Sequence, residues 1–402
     1  MKNTFLQQSY DGNKTASLKK ELIRLFVLNG NYSITDLSRE VNISVPTMTK
    51  LIGELITEGF VLDFGKQGTS GGRRPNMYGL NPDAGYFIGV DINKDNISLG
   101  LINFKGQLIE YEPDKPFVLE NTIHSLDKLC AIIKSFITKV TVSKEKILAV
   151  GVNLSGRVNS QSGFSYSFYY LDEKPLSALI EERLDYTVYI ENDSRSMTYG
   201  EYMHGENSNF KDMLFINASW GLGIGIIIDG KLYYGKSGFS GEFGHFPFFD
   251  NEIICRCGKR GCLETGASGS AMHRMFMEKL SEGRVSTLSN KFNKGEQITM
   301  EDIMDAVHKE DVLAIEIIES VGNELGKAIS GLINLFNPEL IVLGGTLANA
   351  KDYIMLPIKS AINKYSLIRV SKDTNIRLSK LGEKCGIMGA CMLARSRTLG
   401  IL

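Results

Sequence analysis

The stretch His245-Phe-Pro-Phe-Phe-Asp-Asn-Glu-Ile-Ile-Cys255-Arg-Cys257-Gly-Lys-Arg-Gly-Cys262-Leu-Glu264 constrains this chain more than any other part of it. It holds three of the six cysteines and one of the five histidines. The C-x-C-x4-C spacing makes a compact knuckle, in which Gly258 and Gly261 supply the permissive dihedrals that let three thiolates converge on one ion. With His245 the set becomes Cys3His, four soft or borderline donors suited to tetrahedral zinc, and a site saturated by protein ligands is structural. Cys130, Cys385 and Cys391 are scattered. Such a distribution does not read as a disulfide framework.

At 402 residues the chain is too long for a single core, and two or three domains are expected. With 43% hydrophobic and 23% charged residues it reads as a globular protein, and no apolar run approaches the ~20 residues of a membrane span. The opening Met-Lys-Asn-Thr-Phe-Leu-Gln-Gln-Ser-Tyr has neither the apolar core nor the cleavage site of a secretory signal, so a cytoplasmic location is expected. The net charge of −1 conceals an asymmetry, because residues 1–80 alone carry +3. That sign favours contact of the first segment with nucleic acid.

The first 82 residues are expected to form a winged helix-turn-helix preceded by a polar arm (1–16). Leu18, Leu22, Leu25 and Phe26 recur at helical spacing, with Lys19, Lys20, Glu21 and Arg24 on the outer face, and Asn29-Gly30 stops the helix. Ser33-Ile34-Thr35-Asp36 has the form of a capping box opening a short second helix. Ser44 then caps a third, with Pro46 in its first turn, where a missing N–H costs nothing. Its expected buried stripe is Val45, Met48, Ile52, Leu55 and Ile56, leaving Thr47, Thr49, Lys50 and Glu54 outside. The polar residues lie near the helix N-terminus, the end that such proteins insert into the major groove. Two strands follow, Phe60–Phe64 and Asn76–Leu80, joined by a glycine-rich turn carrying Lys66, Arg73 and Arg74, basic residues suited to phosphate or minor-groove contact. Ser44, Thr47, Thr49, Lys50, Arg73 and Arg74 are therefore the candidate contacts to double-stranded DNA.

Beyond Asn81-Pro82, apolar strands beginning at Tyr86 and Asn96, a helix over 122–140, a buried strand from Ile147 and a strand Val188–Asp193 suggest a mixed sheet flanked by helices. A second strand and glycine-rich turn follow from Met213 to Gly225, and Leu340-Ile-Val-Leu-Gly-Gly345 is a further strand. Together with Gly241-Glu242-Phe243-Gly244-His245, the cysteine run and Glu191-Asn192-Asp193, these segments resemble the ROK family of repressors and sugar kinases over nearly the whole chain. The winged helix is similar to its repressor branch. The resemblance implies an α/β fold with two actin-like (ribonuclease H-like) lobes: 83–194, completed by 385–402, and 195–384, which carries the metal loop.

The same resemblance carries zinc onto His245, Cys255, Cys257 and Cys262, and the hydroxyls of a small sugar or sugar phosphate onto Asn192, Asp193, Glu242, His245 and Glu264. His245 could then serve twice, one ring nitrogen on the metal and the other toward a hydroxyl. In the family's kinases the aspartate matching Asp193 is the general base. Here the phosphate-binding turns depart from the kinase pattern. Asp-hydrophobic-Gly-Gly-Thr is replaced by Asp91-Ile92-Asn93-Lys94-Asp95, and Gly-Thr-Gly-Ile-Gly by Gly221-Leu222-Gly223-Ile224-Gly225. Side chains stand where glycines allow close backbone approach to phosphate, so ATP-Mg is not expected to bind productively. The expectation is a sugar-responsive DNA-binding regulator, a homodimer or homotetramer, without a catalytic residue. An ATP-dependent sugar kinase with an appended DNA-binding head, using Asp193, is the alternative.

Overall fold

The computed structural model describes residues 14–66, 75–171 and 173–402. The chain divides into two compact units, Met1–Asp193 with Ile387–Leu402, and Ser194–Gly386. No helix among the described residues is long and apolar enough to cross a membrane.

The first unit opens with helices α1 (Lys14–Asn29), α2 (Ile34–Glu40) and α3 (Val45–Thr57). With them comes a three-stranded sheet of β1 (Tyr32–Ser33), β3 (Asn76–Leu80) and β2 (Val61–Lys66), in that order. This is a winged helix-turn-helix. Both expected caps form: Ser33 Oγ accepts from the Asp36 amide at 3.2 Å and Ser44 Oγ from the Thr47 amide at 3.3 Å. Each satisfies a donor that the first helical turn would otherwise leave orphaned.

Three details of this head differ from the sequence reading. The first helix includes Lys14, Thr15 and Ala16, inside the stretch assigned to the arm. The buried stripe of α3 is Met48, Leu51, Ile52 and Leu55, an i, i+3, i+4, i+7 set, whereas Val45 and Ile56 are exposed. Val45 lies at the helix end, past the core, and Ile56 is turned about 100° from Leu55. Lys19, placed outside by periodicity, is buried, because Glu54 and Glu58 receive its ammonium at 2.8 and 2.6 Å. Burial pulls the Lys19 pKa down, but the two carboxylates outweigh it and hold it above the usual lysine value. The pairing bolts α1 to α3, and it also brings Glu54, expected outside, into that contact. Arg73 and Arg74 lie outside the described residues.

The rest of the unit is a five-stranded sheet in the order Val188–Asn192, Ile147–Leu154, Tyr86–Ile92, Asn96–Asn103, Leu108–Pro116. The last three run antiparallel as a meander and the first two are parallel to Tyr86–Ile92. Helix Ile123–Lys139 and the helix Leu176–Leu184 cover one face through Leu126, Leu129, Ile133, Leu179 and Ile180. On the sheet, Gly89 is in register with both Gly100 and Gly151. A Cβ on Gly89 would lie 2.6 Å from Cys391 Sγ, and one on Gly151 would lie 2.2 Å from the Ala390 carbonyl oxygen. A row of glycines across three strands is thus the seat on which the C-terminal segment packs.

The second unit repeats this plan. Its sheet runs Lys231–Leu232, Leu222–Ile228, Met213–Ala218, Leu340–Gly344, Asn375–Leu378, with the first three antiparallel and the last two parallel to Met213–Ala218. The long helix Val312–Phe336, flanked by Gly269–Ser281 and Asp352–Tyr365, buries Ile318, Val321, Leu325 and Ile329 in the main core. Two sheets of one order, each backed by helices, make a duplicated actin-like α/β body.

Candidate functional site

The cysteine loop lies in the second unit, between the short helical turn Phe243–His245 and the helix Glu264–Ala267. Bridges between Pro247 and Cys262 and between Ile254 and Arg260 close it. Gly258 and Gly261 adopt φ of 84° and 72°, and a Cβ at Gly261 would stand 2.2 Å from the Phe249 carbonyl oxygen. Both glycines are therefore required by the turn, as their spacing suggested.

His245, Cys255, Cys257 and Cys262 converge so that their ligand atoms all lie within 4.8 Å of one another. Cys257 Sγ is 3.6 Å from Cys262 Sγ, and Cys255 Sγ is 3.5 Å from His245 Nδ1. Two thiolates bound to one zinc at ~2.3 Å with tetrahedral angles would be ~3.8 Å apart, so the donor set fits that ion in identity and size. It is Nδ1 that faces the cluster. Nε2 points the other way, 3.8 Å from Glu242 Oε2, beyond hydrogen-bond length. Glu242 is exposed and His245 half-buried, which leaves this edge open to solvent.

Glu264 is buried, and both its oxygens are engaged. Oε2 accepts the Leu222 amide at 3.0 Å, while Oε1 lies 3.3 Å from Arg256 Nε and 3.8 Å from Cys255 Sγ. It therefore ties the cysteine loop to the glycine-rich turn. That turn has its own packing reasons for glycine: a Cβ at Gly223 would meet Ser194 Oγ at 2.5 Å, and one at Gly225 would meet Thr198 Oγ1 at 1.9 Å. Gly345, likewise, has a φ of 83° and passes close to Ala218. The glycines here are explained by helix and strand approach without a nucleotide.

Asn192 and Asp193 lie in the first unit, where the edge strand Val188–Asn192 meets the helix Asp193–Tyr202. Asp193 Oδ2 accepts from Ser155 Oγ at 2.8 Å and Oδ1 from Asn192 Nδ2 at 3.0 Å. The same Asn192 amide donates to the Gly156 carbonyl at 3.0 Å. Asn192 thus orients the aspartate and the neighbouring loop. Asp91, two strands away in the same sheet, receives a 3.4 Å contact from Asn153 Nδ2. Burial first, and the charge of Asp193 second, push its carboxyl up to about 7. Ser155 and Asn153 were not singled out in the sequence. Their signal was positional, since both lie at the carboxyl end of a strand parallel to the one that ends at Asn192, where open α/β sheets gather ligand-binding groups.

In the head, Ser44, Thr47, Thr49 and Lys50 are all exposed along the first turns of α3. Ser44 Oγ and Thr47 Oγ1 are 2.8 Å apart, and Thr49 Oγ1 donates to the Val45 carbonyl at 2.8 Å.

A duplicated actin-like body with a Cys3His loop and a winged helix-turn-helix ahead of it defines a two-part protein, a DNA-head fold joined to a sugar-kinase fold. Residues 87–397 match the model of the ROK family, and the chain belongs to that family. It is 30% identical over 395 residues to the xylose repressor of Caldicellulosiruptor bescii, covering 96% of this chain and 98% of that protein. Among solved structures it is similar to a ROK family transcriptional regulator homologous to the Escherichia coli MLC protein, at a TM-score of 0.79 and 25% identity, covering 95% and 96% of the two chains. It is also similar to a ROK glucokinase from Streptomyces griseus solved with glucose and AMPPNP. That match has a TM-score of 0.66 and 27% identity and spans 78% of this chain against 100% of the kinase. The regulators therefore match the chain over a greater length than the kinase does.

Proposed function

We propose that this protein is a sugar-responsive, DNA-binding transcriptional repressor of carbohydrate metabolism that acts in the cytoplasm as a homodimer or homotetramer. The observation that carries the reading is the winged helix-turn-helix itself, with the polar first turns of α3 exposed, in a chain that matches a xylose repressor over nearly its full length. Ser44, Thr47, Thr49 and Lys50, with Arg73 and Arg74 of the wing, contact operator DNA in this reading. Asn192, Asp193, Glu242, His245 and Glu264 are assigned to the effector, a sugar or sugar phosphate. Zinc held by His245, Cys255, Cys257 and Cys262 shapes the loop and fixes the ring orientation of His245, with Nε2 facing outward. The ion's contribution is structural.

Catalysis is not part of the proposal. Asn93 and Lys94, exposed at the tip of the first hairpin, stand where the family's kinases carry glycines and Asp95 where they carry threonine, and removing positioning groups at a phosphate commonly costs ~10²- to 10³-fold per donor. Asp193, held by Ser155 and Asn192, and the likeness to the glucokinase favour a kinase. Incubation with ATP-Mg and a panel of hexoses, pentoses and amino sugars separates the two readings, and turnover at ordinary kinase rates overturns the regulator. For the DNA arm, fluorescence anisotropy with the protein's own upstream DNA is expected to show saturable binding that Lys50→Glu weakens at least tenfold at moderate salt and that one sugar of the panel shifts. Unchanged binding by Lys50→Glu together with an Arg73→Glu, Arg74→Glu variant sinks the DNA assignment.

A further inference from the structure

The loop after Leu154 carries an unusual feature for a surface. Its short hairpin pairs Val158–Asn159 with Phe164–Ser165, and beyond it come Tyr166, Tyr169 and Tyr170. Phe164 and Tyr166 stack with ring centroids 6.2 Å apart and planes 28° apart, and Tyr166 and Tyr170 follow at 5.7 Å and 32°. The result is a ladder of three rings with Tyr166 43% and Tyr170 58% exposed.

The ladder is held in place. Tyr169 is buried with its hydroxyl 2.9 Å from Ser125 Oγ, and its φ of 55° is a left-handed value uncommon for a bulky residue. That turn sends Tyr169 inward and leaves Tyr170 outside. At the other end, the Arg157 amide donates to Ser167 Oγ at 2.9 Å and the Tyr166 amide to the Arg157 carbonyl at 2.8 Å. Arg157 adjoins Gly156, whose carbonyl receives Asn192, and Ser155, which donates to Asp193. The hairpin bearing the exposed rings is therefore anchored by the backbone that also anchors Asn192 and Asp193.

Aromatic faces pack against the C–H face of a sugar ring while the ring's hydroxyls stay in water or on polar neighbours. A sugar can cover Tyr170 and Tyr166 without leaving a buried hydroxyl unpaired, which a wholly apolar partner could not match on a polar loop. The Tyr166 amide is bonded to the carbonyl of Arg157, the residue after Gly156, and Gly156 receives Asn192, so a ring held at Asn192 and Asp193 leaves the ladder to the next ring along. We propose that Phe164, Tyr166 and Tyr170 form a stacking platform for a second ring, so that the effector class is an oligosaccharide or glycoside. This rests on the assignment of Asn192 and Asp193 to sugar.

The test is calorimetric titration of the full chain with xylose and xylobiose, glucose and cellobiose, and N-acetylglucosamine and chitobiose. One disaccharide is expected to bind about tenfold more tightly than its monosaccharide. Tyr170→Ala removes that advantage while leaving the monosaccharide within about twofold, Tyr170→Phe restores it, and Asp193→Asn weakens both ligands. If the monosaccharide binds, Asp193→Asn abolishes it, and the disaccharide is no tighter or is indifferent to Tyr170→Ala, the platform is wrong and the sugar site stands. If no sugar of either length binds, the sugar assignment itself fails and takes the platform with it.

Discussion

Arg397 Nη2 lies 3.1 Å from Glu191 Oε2, and the pair is almost wholly buried. The other oxygen of Glu191 accepts the backbone amide of Asn192 at 2.8 Å, and Arg397 Nη1 donates to the Ser160 carbonyl at 2.7 Å. A residue five places from the end of the chain therefore fixes the strand end that presents Asn192 and Asp193, and the base of the aromatic hairpin as well. Arg397→Ala leaves a buried carboxylate without its guanidinium, a change that costs ~3 kcal/mol or more. Calorimetric unfolding is expected to show a Tm several degrees lower, and an unchanged Tm would mean that the pair contributes nothing.

The glycine row makes a sharper stability prediction because two glycines give opposite signs. Gly151→Ala drives a Cβ to 2.2 Å from a backbone carbonyl that cannot rotate away, and is expected to destabilise by ~2 kcal/mol or more. Gly53, in the interior of α3, meets nothing within 4 Å, so Gly53→Ala is expected to stabilise by up to ~1 kcal/mol through helix propensity. Urea midpoints measured on both variants check the contrast.

Asp91 links stability to pH. Its folded pKa of about 7 lies above the ordinary aspartate value, so the native state binds this proton more tightly than the unfolded chain. Its contribution is complete below about pH 4 and is lost as the pH rises through 7. Asp91→Asn, which no longer titrates, should gain ~1 to 3 kcal/mol over the parent at pH 8, and the gain should shrink toward pH 5. Parallel Tm profiles for the two proteins between pH 5 and 8.5 would rule this out.

Metal and effector are expected to fail together. Cys257→Ser removes the exposed ligand of the four, and bound zinc measured by mass spectrometry should fall to background. Because Glu264 and His245 belong to the same loop, the sugar-induced rise in Tm should vanish, while the winged helix keeps its fold and its DNA affinity. A normal sugar-induced shift in protein free of zinc would break the proposed link between the metal loop and the effector.

Much of this was legible from the chain alone, for local reasons. The caps at Ser33 and Ser44, the turn glycines Gly258 and Gly261, and the Cys3His spacing each act within a few residues, so residue type and spacing were enough to place them. The strand that carries Asn192 was legible in the same way, whereas the helix that starts at Asp193 was not, the sequence reading having run the strand through Asp193. What the sequence could not resolve depends on partners far away in the chain. Lys19 reads as a surface lysine until Glu54 and Glu58 arrive to neutralise it. Gly89, Gly100 and Gly151 look like three weak points in three strands until the sheet brings them into one row beneath Ile387, Ala390 and Cys391. Glu191 has no visible role without Arg397, and Tyr166 and Tyr170 are two tyrosines in a loop until stacking aligns them. The sequence by itself determined most of the elements, the Cys3His cluster and the family. Tertiary structure decided which charges are buried, which glycines bear another segment and how the site residues are held, because those energies exist only once distant parts of the chain have been brought into contact.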